Sequence, residues 1–209
     1  TQRSTMTSNA YHFVTQWRLQ GTVEEVGAII ADANGLSRWW PAVYLDVQVL
    51  DVGDANSVGA VIRLYTKGWL PYTLRWQFQV TEVEHLRRLV IRAEGDFVGR
   101  GIWTFAQDGD WVNATYDWQI EAQKPLLRRL SFLFKPLFAA NHEWAMRMGE
   151  ESIRLELARR RASTATERAR IPPPPAPTPA SLADWMKMVL LSIPSQQRQG
   201  KEIINNRST

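Results

Sequence analysis

The chain offers few side chains that could perform acid–base or metal chemistry. It contains no Cys, which excludes thiolate nucleophiles, disulfides and zinc sites with Cys ligands. Its three His residues, His12, His85 and His142, are too scattered in the sequence to indicate a metal site. His142 is the candidate catalytic residue, because an imidazole that reaches a cavity can act as a general base near neutral pH. A structural or surface role is the alternative for His142.

The sequence also lacks the motifs that bind phosphates and dinucleotides. Val98-Gly-Arg-Gly101 is not a dinucleotide fingerprint, because no helix is predicted to follow it. No phosphate loop, nucleophile elbow or pair of catalytic carboxylates is recognisable in the sequence. We therefore expect no cofactor, and motifs alone indicate no class of enzyme.

Aromatic residues are the most distinctive feature of the composition. Ten Trp, seven Phe and five Tyr occur among 209 residues. Ligand pockets are lined mainly by apolar and aromatic side chains with a few polar groups, so some of these rings can line a cavity. Core packing is the alternative for each of them. The candidate ligand-binding residues in this set are Trp40, Tyr72, Trp76, Phe78, Trp103, Tyr116 and Trp118.

Asn141 completes the candidate ligand-binding set. It falls on the apolar face of a predicted helix, where a buried amide without hydrogen bonds costs about 1–3 kcal/mol. Its side chain must therefore find a partner. A backbone carbonyl, a buried water and a ligand oxygen are the alternatives.

Hydrophobic alternation predicts the strands that would position these residues. In Tyr72–Val83, apolar side chains at every second residue share one face and polar side chains share the other. Short connections, including the hairpin signal Asp108-Gly109, predict an antiparallel meander with one dry face. The predicted strands are Tyr11–Leu19, Tyr44–Val52, Ala60–Thr66, Tyr72–Val83, Arg88–Glu94, Val98–Ala106 and Trp111–Glu121.

Helices are predicted before and after the meander. Thr22 and Glu25 form a capping-box pattern that starts the first helix, and Leu36–Trp40 is predicted as a short second helix. Because proline suits a first helical turn, we predict a short helix over Leu126–Phe134 and a long helix from Pro136 to Arg161. The predicted inner face of the long helix contains Leu137, Asn141, Ala145, Met148, Ser152 and Leu155.

The composition divides the chain into three parts. Residues 1–10 are predicted to be a disordered N-terminus, and residues 11–161 to be one ligand-binding domain. Residues 162–209 form a Pro-rich tail, with a polyproline II segment over 171–179 and a short amphipathic helix near 181–193. The order of elements predicts an α+β fold, in which a curved antiparallel sheet of about seven strands wraps a long C-terminal helix.

Four segments of the sequence resemble the START-like (SRPBCC) superfamily, and within it the bacterial polyketide cyclase/dehydrase branch. They are Asp32–Pro41 (DANGLSRWWP), Gly68–Trp76 (GWLPYTLRW), Glu94–Trp103 (EGDFVGRGIW) and Asn141–Glu150 (NHEWAMRMGE). The resemblance covers about Tyr11–Arg161. It implies the helix-grip (START/Bet v 1-like) fold and a deep hydrophobic cavity. Members of the superfamily bind lipids, hormones, quinones or polyketides, and only some of them catalyse reactions.

Three functions follow as expectations. We expect the chain to bind or carry a hydrophobic or amphipathic small molecule in an internal cavity. The first alternative is an aromatase/cyclase enzyme acting on a polyketide, with His142 and either Tyr72 or Tyr116 moving protons. The second is a module that contacts a membrane weakly, or a protein partner, through its tail.

Charge and hydropathy bear on partners and location. The net charge of +4 comes with Arg residues crowded toward the tail, and we expect no nucleic-acid partner. No apolar run approaches the roughly 20 residues of a membrane span, and no signal-peptide pattern opens the chain. The expected compartment is the cytoplasm, and the oligomeric state is left open.

Overall fold

The computed structural model describes residues 10–123, 125–179 and 181–192, with residues 122, 125–134 and 192 described by their backbone alone. The predicted disordered N-terminus lies outside these ranges except for residue 10. The polar end of the tail, from residue 193 onward, also lies outside them.

Seven antiparallel strands form one curved sheet in the order β1-β7-β6-β5-β4-β3-β2. The first and last strands in sequence are therefore neighbours, with Ala10 opposite Glu121 and Gln20 opposite Trp111. The predicted meander and its strand count are confirmed. The strands are β1 (Ala10–Gln20), β2 (Tyr44–Asp51), β3 (Val61–Lys67), β4 (Thr73–Glu84), β5 (Arg88–Gly95), β6 (Phe97–Asp108) and β7 (Trp111–Ala122).

Side chains alternate between the two faces of the sheet. On β4, Leu74, Trp76 and Val80 are buried while Arg75 is exposed, which is the alternation the sequence predicts. On β6, Gly101 and Trp103 are buried and Thr104 is exposed. Because each fully buried large apolar side chain contributes about 1.5–3 kcal/mol, this inner face provides most of the hydrophobic stabilisation.

Two short helices follow β1. Helix α1 (Val23–Ile30) starts with the predicted capping box: Thr22 Oγ1 accepts from the Glu25 N–H at 3.3 Å, and Glu25 Oε2 accepts from the Thr22 N–H at 2.9 Å. A 3-10 turn over Ala33–Gly35 leads into α2 (Leu36–Trp39). These elements place Trp39 and Trp40 beneath the sheet, where both are buried.

Helix α3 (Pro125–Arg161) is one continuous helix of 37 residues that contains Pro136. The predicted division into two helices at Pro136 is therefore wrong. A proline removes one backbone hydrogen bond, but the bonds of the neighbouring turns can carry the helix past it. The local preference of proline for a first turn consequently gave a false boundary.

The inner face of α3 is also displaced from the predicted one. Asn141, Ala145 and Ser152 lie on it as expected, whereas Leu137, Met148 and Leu155 are only half-buried. Its most deeply buried apolar side chains are Met146, Ile153 and Leu157. The helix is therefore rotated by about one residue relative to the prediction, and this rotation brings His142 onto the inner face.

A buried ion-pair cluster joins α2 to α3. Glu156 is 2% exposed and accepts from Arg38 Nη1 at 2.8 and 2.9 Å and from Arg160 Nε at 3.0 Å. Arg160 also pairs with Asp32 at 3.4 Å. The cluster fixes the end of α3 against the turn that carries Trp39 and Trp40.

The tail continues from α3 through two further helices. Helix α4 (Ala165–Arg170) has its own capping box at Thr164 and Glu167. Residues 172–179 then form neither helix nor strand, and helix α5 (Leu182–Ser192) follows.

Candidate functional site

An internal cavity of about 180 Å³ lies between the inner face of the sheet and helices α2 and α3. All seven strands contribute to its wall, from Phe13 on β1 to Ile120 on β7. Helix α3 contributes Phe138, Asn141, His142, Ala145 and Met146. The sheet and the long helix therefore enclose a space that their own side chains do not fill.

Every predicted site residue lies on the wall of this cavity. The structure thus brings together residues from three strands, the loop before β4 and two helical regions that are far apart in sequence. Their roles toward a ligand stay predictions. The residues are Trp40, Tyr72, Trp76, Phe78, Trp103, Tyr116, Trp118, Asn141 and His142.

A row of stacked rings forms one side of the cavity. Trp103 and Tyr116 stack with ring centroids 4.5 Å apart, and Tyr116 and Trp118 stack at 5.5 Å. Trp76 continues the row at 5.7 Å from Trp118. Trp76 Nε1 donates to Thr66 Oγ1 at 3.0 Å, which satisfies its N–H and fixes its ring. The result is a rigid aromatic wall suited to a flat apolar molecule.

Trp40 forms the floor of the cavity against α3. Its ring lies directly on the backbone of Gly149, where an added Cβ would come within 2.3 Å of the ring. The Trp39 ring packs against the Trp40 ring, with their centroids 5.4 Å apart. Both side chains are at least 95% buried. The burial of these two residues makes them a fixed part of the core rather than a movable gate.

The indole N–H groups of Trp39 and Trp40 are buried without a hydrogen-bond partner among the described residues. A buried donor without a partner costs about 1–3 kcal/mol. The Trp40 ring lies on the cavity wall, but its Nε1 is itself buried against the surrounding protein. This donor is the first polar group near the cavity.

Two tyrosines supply the next polar features. Burial raises the pKa of Tyr116 well above its ordinary value and also raises the pKa of Tyr44, so both phenols stay protonated. Both rings lie on the cavity wall. Gly101 lets Tyr116 reach this position, because a Cβ there would lie 2.6 Å from the Tyr116 hydroxyl.

His142 reaches the cavity, but its environment is not that of a general base. Its ring stacks on Phe13 with centroids 4.2 Å apart, and its Nε2 is buried without a partner among the described residues. Burial lowers the pKa of His142 to about 4, so the imidazole is neutral at neutral pH. The expected pKa near neutrality is therefore wrong. No carboxylate in the described part of the chain bonds to its Nε2, and the apolar Phe13 covers its face.

Asn141 is satisfied by the backbone. Its Oδ1 accepts from the Leu70 N–H at 2.9 Å, and its amide lies so close to Gly68 that a Cβ there would approach within 2.4 Å. The partner is a backbone donor rather than the carbonyl considered from the sequence. Asn141 therefore fixes the connection between β3 and β4 at the edge of the cavity.

Several wall residues had not been singled out from the sequence. Tyr44 and Phe97 are the first residues of their strands. At a strand end, the alternation of apolar and polar residues does not yet indicate which face of the sheet a side chain occupies. Phe13 lies at an inward position of β1 that alternation could have identified. Phe138 and Met146 were missed because the predicted helix face was rotated.

Three arginines of the sheet lie outside the cavity, whereas Lys67 at the end of β3 lies on its wall. Arg63, Arg75 and Arg100 are all exposed, and Arg100 pairs with Glu82 at 3.3 Å. None of these three arginines can therefore anchor a ligand carboxylate in the cavity. Among the described residues no group of three or more His, Asp or Glu could hold a metal ion. None of the described helices is both long and apolar enough to cross a membrane.

Comparison with known proteins finds similarity in structure but not in sequence. No protein-family model matches the chain, and no curated protein matches it significantly. The Zhui aromatase/cyclase from Streptomyces matches with a TM-score of 0.59 at 15% identity, covering 75% of this chain and 98% of that one. A protein from Thermus thermophilus matches with a TM-score of 0.56 at 20% identity, covering 68% of this chain and 97% of that one.

A third match is the di-domain aromatase/cyclase BexL, with a TM-score of 0.53 at 13% identity. It covers 72% of this chain and 50% of that one. At these identities the matches establish the fold alone. The chain has the START-like helix-grip fold, which confirms the fold predicted from the four sequence segments.

Proposed function

We propose that this protein binds a small, flat, mainly apolar molecule in the internal cavity. The observation that carries the proposal is a cavity walled by aromatic rings, on which Tyr44, Tyr72, Tyr116 and Asn141 place a few polar groups. Apolar walls with a few convergent polar groups are the usual composition of a ligand site. A ligand oxygen could therefore accept hydrogen bonds from the wall of an otherwise apolar cavity.

The cavity volume limits the size of the ligand. An apolar cavity of roughly 150 Å³ can hold benzene, whereas pockets for drug-sized ligands span roughly 300–1,000 Å³. The 180 Å³ found here suits one or two fused rings when the wall stays in place. A larger molecule would require the wall to move.

Binding is favoured over chemistry by the titration properties of the cavity. The imidazole of His142 is uncharged at neutral pH, and the raised pKa values of Tyr72 and Tyr116 keep both phenols protonated. A general base works best when its pKa lies near the working pH, and none of these three groups meets that condition. The groups can hydrogen-bond to a ligand more readily than they can move its protons.

The test uses 2-naphthol, a two-ring probe with one hydroxyl. We expect it to change Trp fluorescence saturably, because Trp40, Trp76, Trp103 and Trp118 line the cavity. Ala145→Leu adds three carbon atoms at the wall and should weaken binding at least tenfold. The matched control is Ala158→Leu, since Ala158 lies on the exposed side of the same helix.

Two results would count against this proposal. One is the absence of any saturable fluorescence change in the wild-type protein. The other is an equal loss of binding in Ala145→Leu and Ala158→Leu, because that pattern would place the probe outside the cavity. Isothermal titration calorimetry checks the stoichiometry, which should be one probe per chain.

An aromatase/cyclase activity is the second candidate, favoured by the structural similarity to Zhui and BexL. In that function the cavity would orient a polyketide chain, and orientation alone can lower a reaction barrier substantially. His142 and either Tyr72 or Tyr116 would move the protons. Turnover of a poly-β-ketone that is unchanged in His142→Ala would remove His142 from this role.

A further inference from the structure

The described part of the Pro-rich tail makes contacts with the domain at Pro172, Thr178, Pro179 and Trp185. Near its start the Arg159 guanidinium donates to the Pro172 carbonyl. Near its end Trp185 of α5 meets Trp69 edge to face, with centroids 5.3 Å apart, and donates from Nε1 to the Trp69 carbonyl at 2.9 Å. Pro172 and Trp185 are therefore two attachment points of the tail on the folded domain.

Between these points the tail covers a buried lysine. Lys67, the last residue of β3, is only 2% exposed. Its Nζ donates to the Thr178 hydroxyl at 2.6 Å, to the Thr178 carbonyl at 2.5 Å and to the Pro179 carbonyl at 2.9 Å. All three acceptors belong to the tail. Desolvation lowers the pKa of Lys67, in keeping with an ammonium that has lost its water to this contact.

The same segment of the tail holds the loop that follows Lys67. The Thr178 hydroxyl lies 3.3 Å from the carbonyl oxygens of both Gly68 and Trp69 and can donate to either. On the other side of the loop, Asn141 of α3 accepts from the Leu70 N–H at 2.9 Å. The loop Lys67–Leu70 is therefore clamped between the long helix and the tail.

This loop is part of the cavity. Lys67 and Gly68 lie on the cavity wall, and Tyr72 lies on it just after the loop. The Asn141 amide packs directly on Gly68, so that a Cβ added at Gly68 would lie 2.4 Å from it. An outward movement of the loop would consequently open the wall of the cavity at this edge.

We propose that residues 172–179 and 181–192 act as a latch, which holds the loop Lys67–Leu70 closed and must release it before a ligand can enter or leave. The proposal rests on the binding function proposed above, and adds to it the element that controls ligand exchange. Release would also give the cavity the extra volume that a ligand larger than two rings requires.

The composition of the contact suits a reversible latch. Its described contacts include a few hydrogen bonds and a Trp–Trp contact, and parts of a structure with few buried apolar contacts open at low free-energy cost. Within α5, Leu182, Met186, Leu190 and Leu191 are 50% or more exposed, so little of the helix is buried on the domain. The latch can therefore open while the sheet and α3 stay folded.

Thr178→Ala is the decisive variant, because it removes one acceptor from Lys67 and the donor to the loop. We expect the association and dissociation rate constants of 2-naphthol, measured by stopped-flow Trp fluorescence, to rise together by about fivefold. The equilibrium constant should change by less than about twofold, because the wall of the closed state is unaltered. Thr178→Ser keeps the hydroxyl and should restore the wild-type rates.

Thr104→Ala is the matched control, since Thr104 lies on the exposed face of β6, away from the tail. It should leave both rate constants unchanged. Trp185→Phe removes the hydrogen bond to Trp69 while keeping an aromatic ring, and should increase both rates in the same direction as Thr178→Ala. Rates that are equal in wild type, Thr178→Ala and Trp185→Phe would overturn the proposal.

Amide hydrogen exchange tests the latch without any ligand. The Gly68, Trp69 and Leu70 amides should exchange several-fold faster in Thr178→Ala than in wild type or Thr104→Ala. Unchanged exchange in the loop would refute the latch even if 2-naphthol binds. If 2-naphthol does not bind the wild-type protein, the binding function fails, and faster exchange would still support a tail that holds the loop.

Discussion

His142 illustrates how one side chain in this cavity depends on its surroundings. Its ring lies against Phe13 on a distant strand, and its Nε2 has no partner among the described residues. An imidazolium in this position would lose its hydration without gaining a counter-charge. The folded protein therefore favours the neutral ring, and protonation should oppose folding.

We expect His142 to make the protein less stable in mild acid. Its pKa is about 4 in the folded protein, below the ordinary value of 6.5, so the unfolded chain takes up the proton first. The contribution of His142 is complete above about pH 6.5 and is lost as the pH falls toward 4. Between pH 8 and pH 5 the loss in free energy of unfolding should be about 2 kcal/mol.

Urea unfolding at several pH values measures this effect. His142→Phe should lose about 2 kcal/mol less than wild type over the same pH range, because it has no imidazole to protonate. His85→Phe, in an exposed turn, should follow the wild-type curve. Identical pH dependence in wild type and His142→Phe would show that His142 is not shielded as the structure indicates.

At the scale of elements, the contact between α3 and the turn after α2 organises the floor of the cavity. Trp40 packs on Gly149 at this contact. The carboxylate of Glu156 lies two helical turns further along α3 and binds Arg38. A close backbone approach and a buried ion pair thus fix the same pair of elements.

Gly149→Ala should destabilise the protein although alanine favours helix. The added Cβ would lie 2.3 Å from the Trp40 ring, and overpacking of this kind costs about 1–3 kcal/mol. Gly27→Ala in α1 is the control, because the nearest atom to its Cβ is 3.9 Å away. Gly27→Ala should stabilise by up to about 1 kcal/mol, and thermal unfolding of the two variants should move in opposite directions.

Arg38→Met should cost about 2–4 kcal/mol, because Glu156 would keep only Arg160 as a partner for a carboxylate that is 2% exposed. Arg38 itself is more than half exposed, so its own desolvation contributes little to this cost. Arg87→Met removes an exposed pair with Glu84 and should cost less than about 1 kcal/mol. Chemical denaturation measures the free energy of unfolding of both variants. Equal losses in Arg38→Met and Arg87→Met would contradict a structural role for the pair of Arg38 with the buried Glu156.

The elements also show how far the sequence was informative. Alternation places Trp76, Phe78 and Tyr116 on the inner face correctly, because the side of a strand follows from residue parity alone. The break at Pro136 and the face of α3 were wrong, because helix continuity and rotation depend on packing with distant strands. The orphan Trp40 N–H and the burial of Lys67 beneath Thr178 depend on contacts between remote segments, and no local pattern predicts them.

At the scale of the whole molecule, the internal cavity links ligand binding to global stability. Cavities deprive the surrounding side chains of packing partners, and a ligand that fills the space binds the folded state alone. Stability should therefore respond to a ligand even though the ligand touches only the wall of the cavity.

A probe concentration 100-fold above its dissociation constant should raise the free energy of unfolding by about 2.7 kcal/mol. For a chain of this length the corresponding rise in melting temperature is roughly 5–10 °C. The melting temperature of Ala145→Leu should hardly change when 2-naphthol is added. That of Ala158→Leu should rise as much as that of the wild-type protein. Differential scanning fluorimetry makes the comparison, and a similar rise in Ala145→Leu would place the probe elsewhere.

The pairing of β1 with β7 has a consequence for synthesis on the ribosome. Ala10 lies opposite Glu121 in the sheet, so the first strand emerges long before its neighbouring strand exists. At roughly 5–20 residues per second, the delay lasts on the order of 10 s. Throughout that interval a nascent segment rich in aromatic residues has both backbone edges open, and we expect a holding chaperone to bind it there.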